Sequence, residues 1–237
     1  MTFVPTILTT ASGRSIDLIA PRPADIDFAD VAQHLAKCNR YVGATAHRAY
    51  SVAEHLVRAA DLALAETKDA TLAAYVLCHD MHEAYLGDDV TPKKRALAAI
   101  AIENYGQAGE LVYKLHELLA YRLDVAIHAA AGLFFPLPSL TQKTVKHYDE
   151  TLLATEWREL MCVPPPFPAV AAAAIEIECW GWATAADALL MRCRVLLPSL
   201  RGENERIART RAREKTFNIG PGPLPHNKSP AEQGGCP

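Results

Sequence analysis

Paired thiolates are missing from this chain. Its six cysteines, Cys38, Cys78, Cys162, Cys179, Cys193 and Cys236, stand apart, with no CxxC and no dense disulfide framework. That scatter argues against a thiolate zinc site and for a reducing compartment, with most cysteines serving as small core hydrophobes. An excess of positive charge is missing too: 24 Lys and Arg against 27 Asp and Glu leave a net charge of -3. No global basic field is there to hold polymeric nucleic acid, although a small anion needs only local cations. The opening Met1-Thr2-Phe3-Val4-Pro5 has neither the basic head nor the apolar run of a signal peptide. Apolar stretches such as Ala169 to Ile177 fall well short of the about 20 residues that cross a bilayer. The expectation is a cytoplasmic protein without membrane contact. Aromatic residues are few, at 7%, while half of the residues are hydrophobic and many of those are alanine. Such a composition favours a helical globule, and 237 residues suffice for one domain with a substantial core.

Residues 6–19 alternate β-prone and polar positions around Ala11-Ser12-Gly13, which predicts a small hairpin. A short helix is expected over Phe28 to Cys38, with Asp27 as N-cap and Val31, Ala32, Leu35 and Ala36 on its apolar face. Ser51 with Glu54 reads as a capping box for a following helix, in which His55 lies beside the apolar stripe of Val52, Leu56, Ala59, Ala60 and Ala63. Ala70 to Tyr85 is apolar on most faces up to His79, as in a central buried helix, and Gly87 to Pro92 breaks it into a loop. Helical pattern continues over 95–130, is interrupted at Phe135-Pro136-Leu137-Pro138 and resumes from Leu140 to Met161. On that helix Asp149 shares a face with Leu152, Leu153 and Glu156. Pro164-Pro165-Pro166 ends it. A last helix is expected from about Ala169 to Leu196, broken near Gly181, followed by a flexible tail from Arg201. The fold class is all-α with a small N-terminal β-hairpin, in one domain over residues 1–200, with 201–237 as the tail.

Chemistry concentrates in Cys78-His79-Asp80-Met81-His82-Glu83. His79, Asp80 and Glu83 fall within one predicted helix, with Glu83 four residues after His79 and three after Asp80, so all three can project from neighbouring surfaces. With His55 upstream and Asp149 far downstream, two imidazoles and two carboxylates form the mixed nitrogen and oxygen set that suits a catalytic divalent transition metal.

In order along the chain, His55, His79-Asp80 and Asp149 resemble the H…HD…D signature of HD-domain metal-dependent phosphohydrolases. Tyr50 to His55, His79 to Asp88 and Thr91-Pro92-Lys93-Lys94 are similar to the branch of bacterial 5′-deoxynucleotidases and phage deoxynucleoside triphosphohydrolases. The resemblance covers roughly residues 6–160, with its motifs in 40–160. It implies an HD-domain helical bundle in which His55, His79, Asp80 and Asp149 hold a divalent metal such as Mn, Co, Zn or Fe, with Mg on the substrate phosphates. Glu83 would then orient or deprotonate the attacking water or protonate the leaving oxygen, and Asp88 would contact the sugar or assist the water. Arg40 would grip phosphate, and Tyr41, where the family often has Trp, would keep an aromatic platform. The implied reaction converts a deoxynucleoside 5′-monophosphate to nucleoside and phosphate. The alternatives are triphosphate release from a deoxynucleoside triphosphate, phosphodiester or alarmone hydrolysis, and a non-catalytic nucleotide-binding module.

Blander roles stand beside these. Arg40 can cap the preceding helix, Tyr41 can be a core aromatic, and Lys93 and Lys94 are either a solvated pair or phosphate contacts. His82 is a neighbour of the motif face; His34, His47, His116, His128 and His147 lack partners at ligand spacing and are assigned to structure. Glu54, Glu150 and Glu156 are candidates for orienting the metal-binding histidines. Arg201 to Arg213 reads as a solvated helix or tail. Domains of this kind often self-associate, and the Ala-rich C-terminal helix offers an interface.

Overall fold

The computed structural model describes residues 5–46, 48–166 and 170–202. The chain divides into one unit ending at Arg201 and a second beginning at Gly202. The Arg201–Arg213 run (beyond Gly202), the tail, His47 and Cys236 therefore lie outside the described residues. Among those described there are eight α-helices and a two-stranded antiparallel hairpin.

Strands β1 (Ile7–Thr9) and β2 (Ser15–Asp17) pair Leu8 with Ile16, and Ile16 is fully buried. Helix α1 (Phe28–Lys37) starts where the Asp27 carboxylate accepts a hydrogen bond from Ala29 N, and it buries Val31, Ala32, Leu35 and Ala36. From it Asp30 reaches back to the hairpin turn, accepting bonds from Thr10 Oγ1 (2.6 Å), Ser12 N (2.9 Å) and Ser12 Oγ (2.6 Å). Helix α2 (Val52–Thr67) is capped by Ser51, whose Oγ accepts from Glu54 N at 3.2 Å. Only half of the expected capping box forms. The Glu54 carboxylate turns away to Arg58 Nε and Trp180 N, each at 2.8 Å.

Helix α3 (Ala70–Cys78) begins at Asp69, which accepts from Thr71 N and Leu72 N. It ends earlier than expected. His79 to His82 form a tightened turn before the short α4 (Glu83–Leu86), held by bonds from Met81 N to Cys78 O, Glu83 N to Asp80 O and Ala84 N to Met81 O. The one helix expected to carry His79, Asp80 and Glu83 is thus two helices joined by a turn with i→i+3 bonding. Helices α5 (Thr91–Tyr105) and α6 (Glu110–Ala131) form a hairpin, and α7 (Ser139–Leu160) follows.

Helix α8 spans Trp182–Leu196. Residues 170–181 take no helical form, contrary to the helix expected from Ala169. The reason is tertiary: Arg58 donates to the carbonyls of Glu176 and Glu178, and Arg158 to those of Ala173 and Ile175. Carbonyls satisfied by guanidinium forks gain little from an intrahelical ladder. The core gathers α2 against α1, α3, α7 and α8, with Leu35, Leu56, Leu77, Leu152 and Leu189 fully buried. No described helix is long and apolar enough to cross a membrane.

Candidate metal centre

Three parts of the chain deliver the four predicted metal ligands to one place. His55 comes from the first turn of α2, His79 and Asp80 from the turn after α3, and Asp149 from the middle of α7. One donor atom from each lies within 4.8 Å of the other three. His55 Nε2 is 3.3 Å from His79 Nε2 and 3.5 Å from Asp149 Oδ1. His79 Nε2 is 3.3 Å from Asp80 Oδ2 and 3.7 Å from Asp149 Oδ1.

The opposite nitrogens of both rings are already committed. His55 Nδ1 donates to Glu156 Oε1 at 2.5 Å, and His79 Nδ1 donates to the carbonyl of Val76 at 2.7 Å. A carbonyl can only accept, so His79 carries a proton on Nδ1 and, when neutral, turns the lone pair of Nε2 to the cluster. The Glu156 contact does the same for His55, which is fully buried. Histidines held in this way are the usual partners of a bound cation. Of the three glutamates proposed to orient them, only Glu156 does so; Glu54 serves Arg58 and Trp180 N, and Glu150 lies 3.7 Å from Lys146.

Charge in the cluster points the same way. Burial works to raise Asp149, but hydrogen bonds from His55 and His79 hold its carboxyl well below the usual range. Asp80 is likewise lowered, with burial outweighed by the adjacent His79. Burial opposes charge on His79, yet Asp80 and Asp149 raise its pKa well above the ordinary value. Two ionised carboxylates that draw a proton onto a buried imidazole form a site where a divalent cation can replace that proton. The donor set fits such a group.

Glu83 and Asp88 also reach this region. Burial, followed by the charges of Asp80 and Asp88, pushes Glu83 up to about 9. Its Oε2 is buried without a hydrogen-bond partner among the described residues. Asp80, His82 and Glu83 bring donor atoms within 4.8 Å of one another, beside the first group and sharing Asp80 with it. His82 Nδ1 pairs with Asp124 at 3.0 Å, a partner 42 residues away that no local pattern announces. Asp88 is raised by burial against the opposing charge of Arg40, and it accepts from the backbone N–H of Tyr41.

Arg40 is buried; its Nε donates to Glu156 Oε2 at 3.0 Å and its Nη1 lies 3.8 Å from Asp80 Oδ2. The guanidinium therefore bridges the acid behind His55 and the acid in the cluster. The Tyr41 hydroxyl donates to the same Glu156 oxygen at 2.5 Å, while its ring meets Trp157 edge-on at 5.9 Å. Tyr41 is thus a tethered wall. Its φ of 58° and that of Val42 at 56° are left-handed, a strained conformation that the Asp88 contact helps to hold. Lys94 is half-buried in the first turn of α5, where its charge opposes in small part the rise that burial imposes on Asp88. Lys93 instead pairs with Asp89. Lys146, which donates to Asp149 Oδ2 at 2.8 Å, was not anticipated, although its i−3 spacing from Asp149 is visible in the sequence. A cavity of about 340 Å³ near the end of α7 is lined by Trp157, Arg158, Met161 and Val163 and includes none of the cluster residues.

No family model matches the chain. It is 35% identical over 143 residues to an uncharacterized protein of Rhodobacter capsulatus, a match covering 58% of this chain and 64% of that protein. The chain thus spans somewhat less than two thirds of that relative's length. It is 31% identical over 153 residues to the uncharacterized protein YfdR of Escherichia coli K12, covering 65% of this chain and 71% of that protein.

Proposed function

The chain belongs to the same family as the uncharacterized protein YfdR of Escherichia coli, and from its own site we propose a metal-dependent phosphohydrolase of small nucleotides, acting on a deoxynucleoside 5′-monophosphate. The observation that carries this is the four-donor group of His55, His79, Asp80 and Asp149 with an unpartnered buried carboxyl, Glu83, beside it. The ordered motif set resembles HD-domain phosphohydrolases in the same residues.

A divalent cation held by these four residues supplies Lewis acidity toward a phosphoryl oxygen and toward water. Everything else belongs to the chain. Glu156 and the Val76 carbonyl keep the imidazoles of His55 and His79 in register. The Arg40 guanidinium beside Asp80, and Lys94, whose charge reaches Asp88, would offer positive charge to the phosphate. Glu83, whose carboxyl is raised chiefly by burial, would deliver a proton to the oxygen that leaves with the nucleoside. Asp88, whose charge acts on Glu83, would take part in binding the sugar or the water.

The test is a panel of ribo- and deoxynucleotides incubated with Mn²⁺, Co²⁺, Zn²⁺ or Mg²⁺, with products identified. Phosphate from deoxynucleoside monophosphates is expected; triphosphate from triphosphates would move the substrate assignment, and no product with any pair would overturn the proposal. Asp80→Ala should lose both metal and turnover. Glu83→Gln should keep the metal while turnover falls by about 10²–10⁴-fold; full turnover in that variant would remove Glu83 from its role.

A further inference from the structure

The turn between α3 and α4 carries more donors than the group of His55, His79, Asp80 and Asp149 uses. Its bond from Glu83 N to Asp80 O brings those two side chains to one side, because residues three apart eclipse in such a turn. Asp80, His82 and Glu83 accordingly place one donor atom each within 4.8 Å of one another, and all three are half-buried. The four-donor group claims only Asp80 of the three. Asp80 Oδ2 faces His79 Nε2 at 3.3 Å and Arg40 Nη1 at 3.8 Å. A carboxylate has a second oxygen, so Asp80 can serve two cations at once.

Two further observations point to a ligand here. Glu83 Oε2 is sealed from solvent and has no hydrogen-bond partner among the described residues. A buried oxygen left without a partner is destabilising, and a cation beside it removes that penalty. His82, in turn, donates from Nδ1 to Asp124 Oδ1 at 3.0 Å. Glu156 holds His55 in the same way. In each case a carboxylate fixes the ring and its tautomer, and the neutral ring keeps its Nε2 lone pair for a metal. Local charge agrees. Asp80 and Asp88 act on Glu83 against Arg40 and His79, and Asp124 adds another acid behind His82. His79 becomes neutral once it holds the first cation, which leaves the acids in excess.

We propose that Asp80, His82 and Glu83 bind a second divalent cation beside the first, with Asp80 shared, and that filling this site inhibits turnover. The binding stands on these residues alone. The inhibition rests on the phosphohydrolase reading, in which the Glu83 carboxyl has to be free to serve the leaving oxygen. One imidazole with two carboxylates suits Zn²⁺ better than Mg²⁺, which keeps an oxygen shell. Three protein donors against four make this the weaker site, so it fills when the cation is in excess.

Equilibrium dialysis of the full-length protein against rising Zn²⁺ tests the binding, with zinc counted per chain and folding checked by far-UV circular dichroism. The wild type should hold one zinc more than His82→Ala or Glu83→Gln, and two more than Asp80→Ala. If His82→Ala misfolds, Glu83→Gln decides, because the amide keeps the shape and removes the charge. Counts in both variants equal to the wild type mean adventitious zinc only and overturn the site. An Asp80→Ala chain that loses a single ion also overturns it and leaves the four-donor group standing; one that loses none removes both. Turnover is compared within each protein at one equivalent and at an excess of the cation that supports it. The wild type should slow at least about tenfold in excess, and His82→Ala should not. An equal rate at both levels in the wild type overturns the inhibitory role. Absence of turnover with every cation overturns the phosphohydrolase reading and the inhibition with it, while the zinc count still decides the site.

Discussion

Glu156 carries more of the site than its position on α7 suggests. One buried carboxylate accepts from Arg40, Tyr41 and His55, and burial is outweighed first by the charge of Arg40, so its pKa falls to about 2. It lies two helical turns beyond Asp149, which puts both acids on one face of α7, and that relation was readable from spacing alone. Asp30 shows the same physics far from the candidate metal centre. Burial works to raise its carboxyl, but hydrogen bonds from Ser12 and Thr10 win and lower it from 3.8. A lowered carboxylate contributes stability that is fully present above its unfolded value and is lost as pH falls through the folded one. Urea unfolding of wild type and Asp30→Asn should therefore differ by about 1.5–3 kcal/mol at pH 6–7. The gap should narrow as the pH drops below about 4, and a gap independent of pH would show that the carboxylate charge is not what the hairpin turn uses.

Among the elements, boundaries set by side-chain caps agree with local expectation, as at Asp27 and Ser51, where a short polar side chain meets the first free N–H groups of the helix. Boundaries set by distant partners do not. The stretch 170–181 contains enough alanine for a helix, yet its carbonyls are taken by Arg58 and Arg158. The end of α3 at Cys78 is of the same kind, because the next residues tighten into the turn that aims His79 and Asp80. The α5–α6 turn depends on a single missing side chain. Gly109→Ala places a Cβ against the backbone of Ala101 and Ile102, atoms that cannot swing aside. Hydrogen exchange should quicken across residues 97–112 in that variant while α2 and α3 keep their protection; unchanged exchange would mean the two helices separate without cost.

At the scale of the whole molecule, the candidate metal centre ties together elements distant in sequence. His55 and Glu156 are 101 residues apart, and the cluster also joins the α3–α4 turn to α7. A cation that binds only the folded chain adds stability by mass action, about 2.7 kcal/mol at a hundred times its dissociation constant. For a domain of this size that is a rise in thermal midpoint of roughly 5–10 °C. Calorimetry with and without Mn²⁺ or Zn²⁺ should show that rise in the wild type and its loss in Asp149→Ala. An equal shift in both proteins would place the cation elsewhere.

The helical class, the N-terminal hairpin, most helix starts and the identities of His55, His79, Asp80 and Asp149 as one donor set were determined by the sequence itself. Each depends on local spacing, on caps, or on an ordered motif, and these survive in one dimension. Only the tertiary structure decided which glutamate stands behind His55, that Arg40 and Tyr41 converge on it, that Asp124 pairs with His82, and that residues 170–181 leave the helix. Those outcomes rest on hydrogen bonds between groups brought together by burial, and burial is a property of the folded chain in three dimensions.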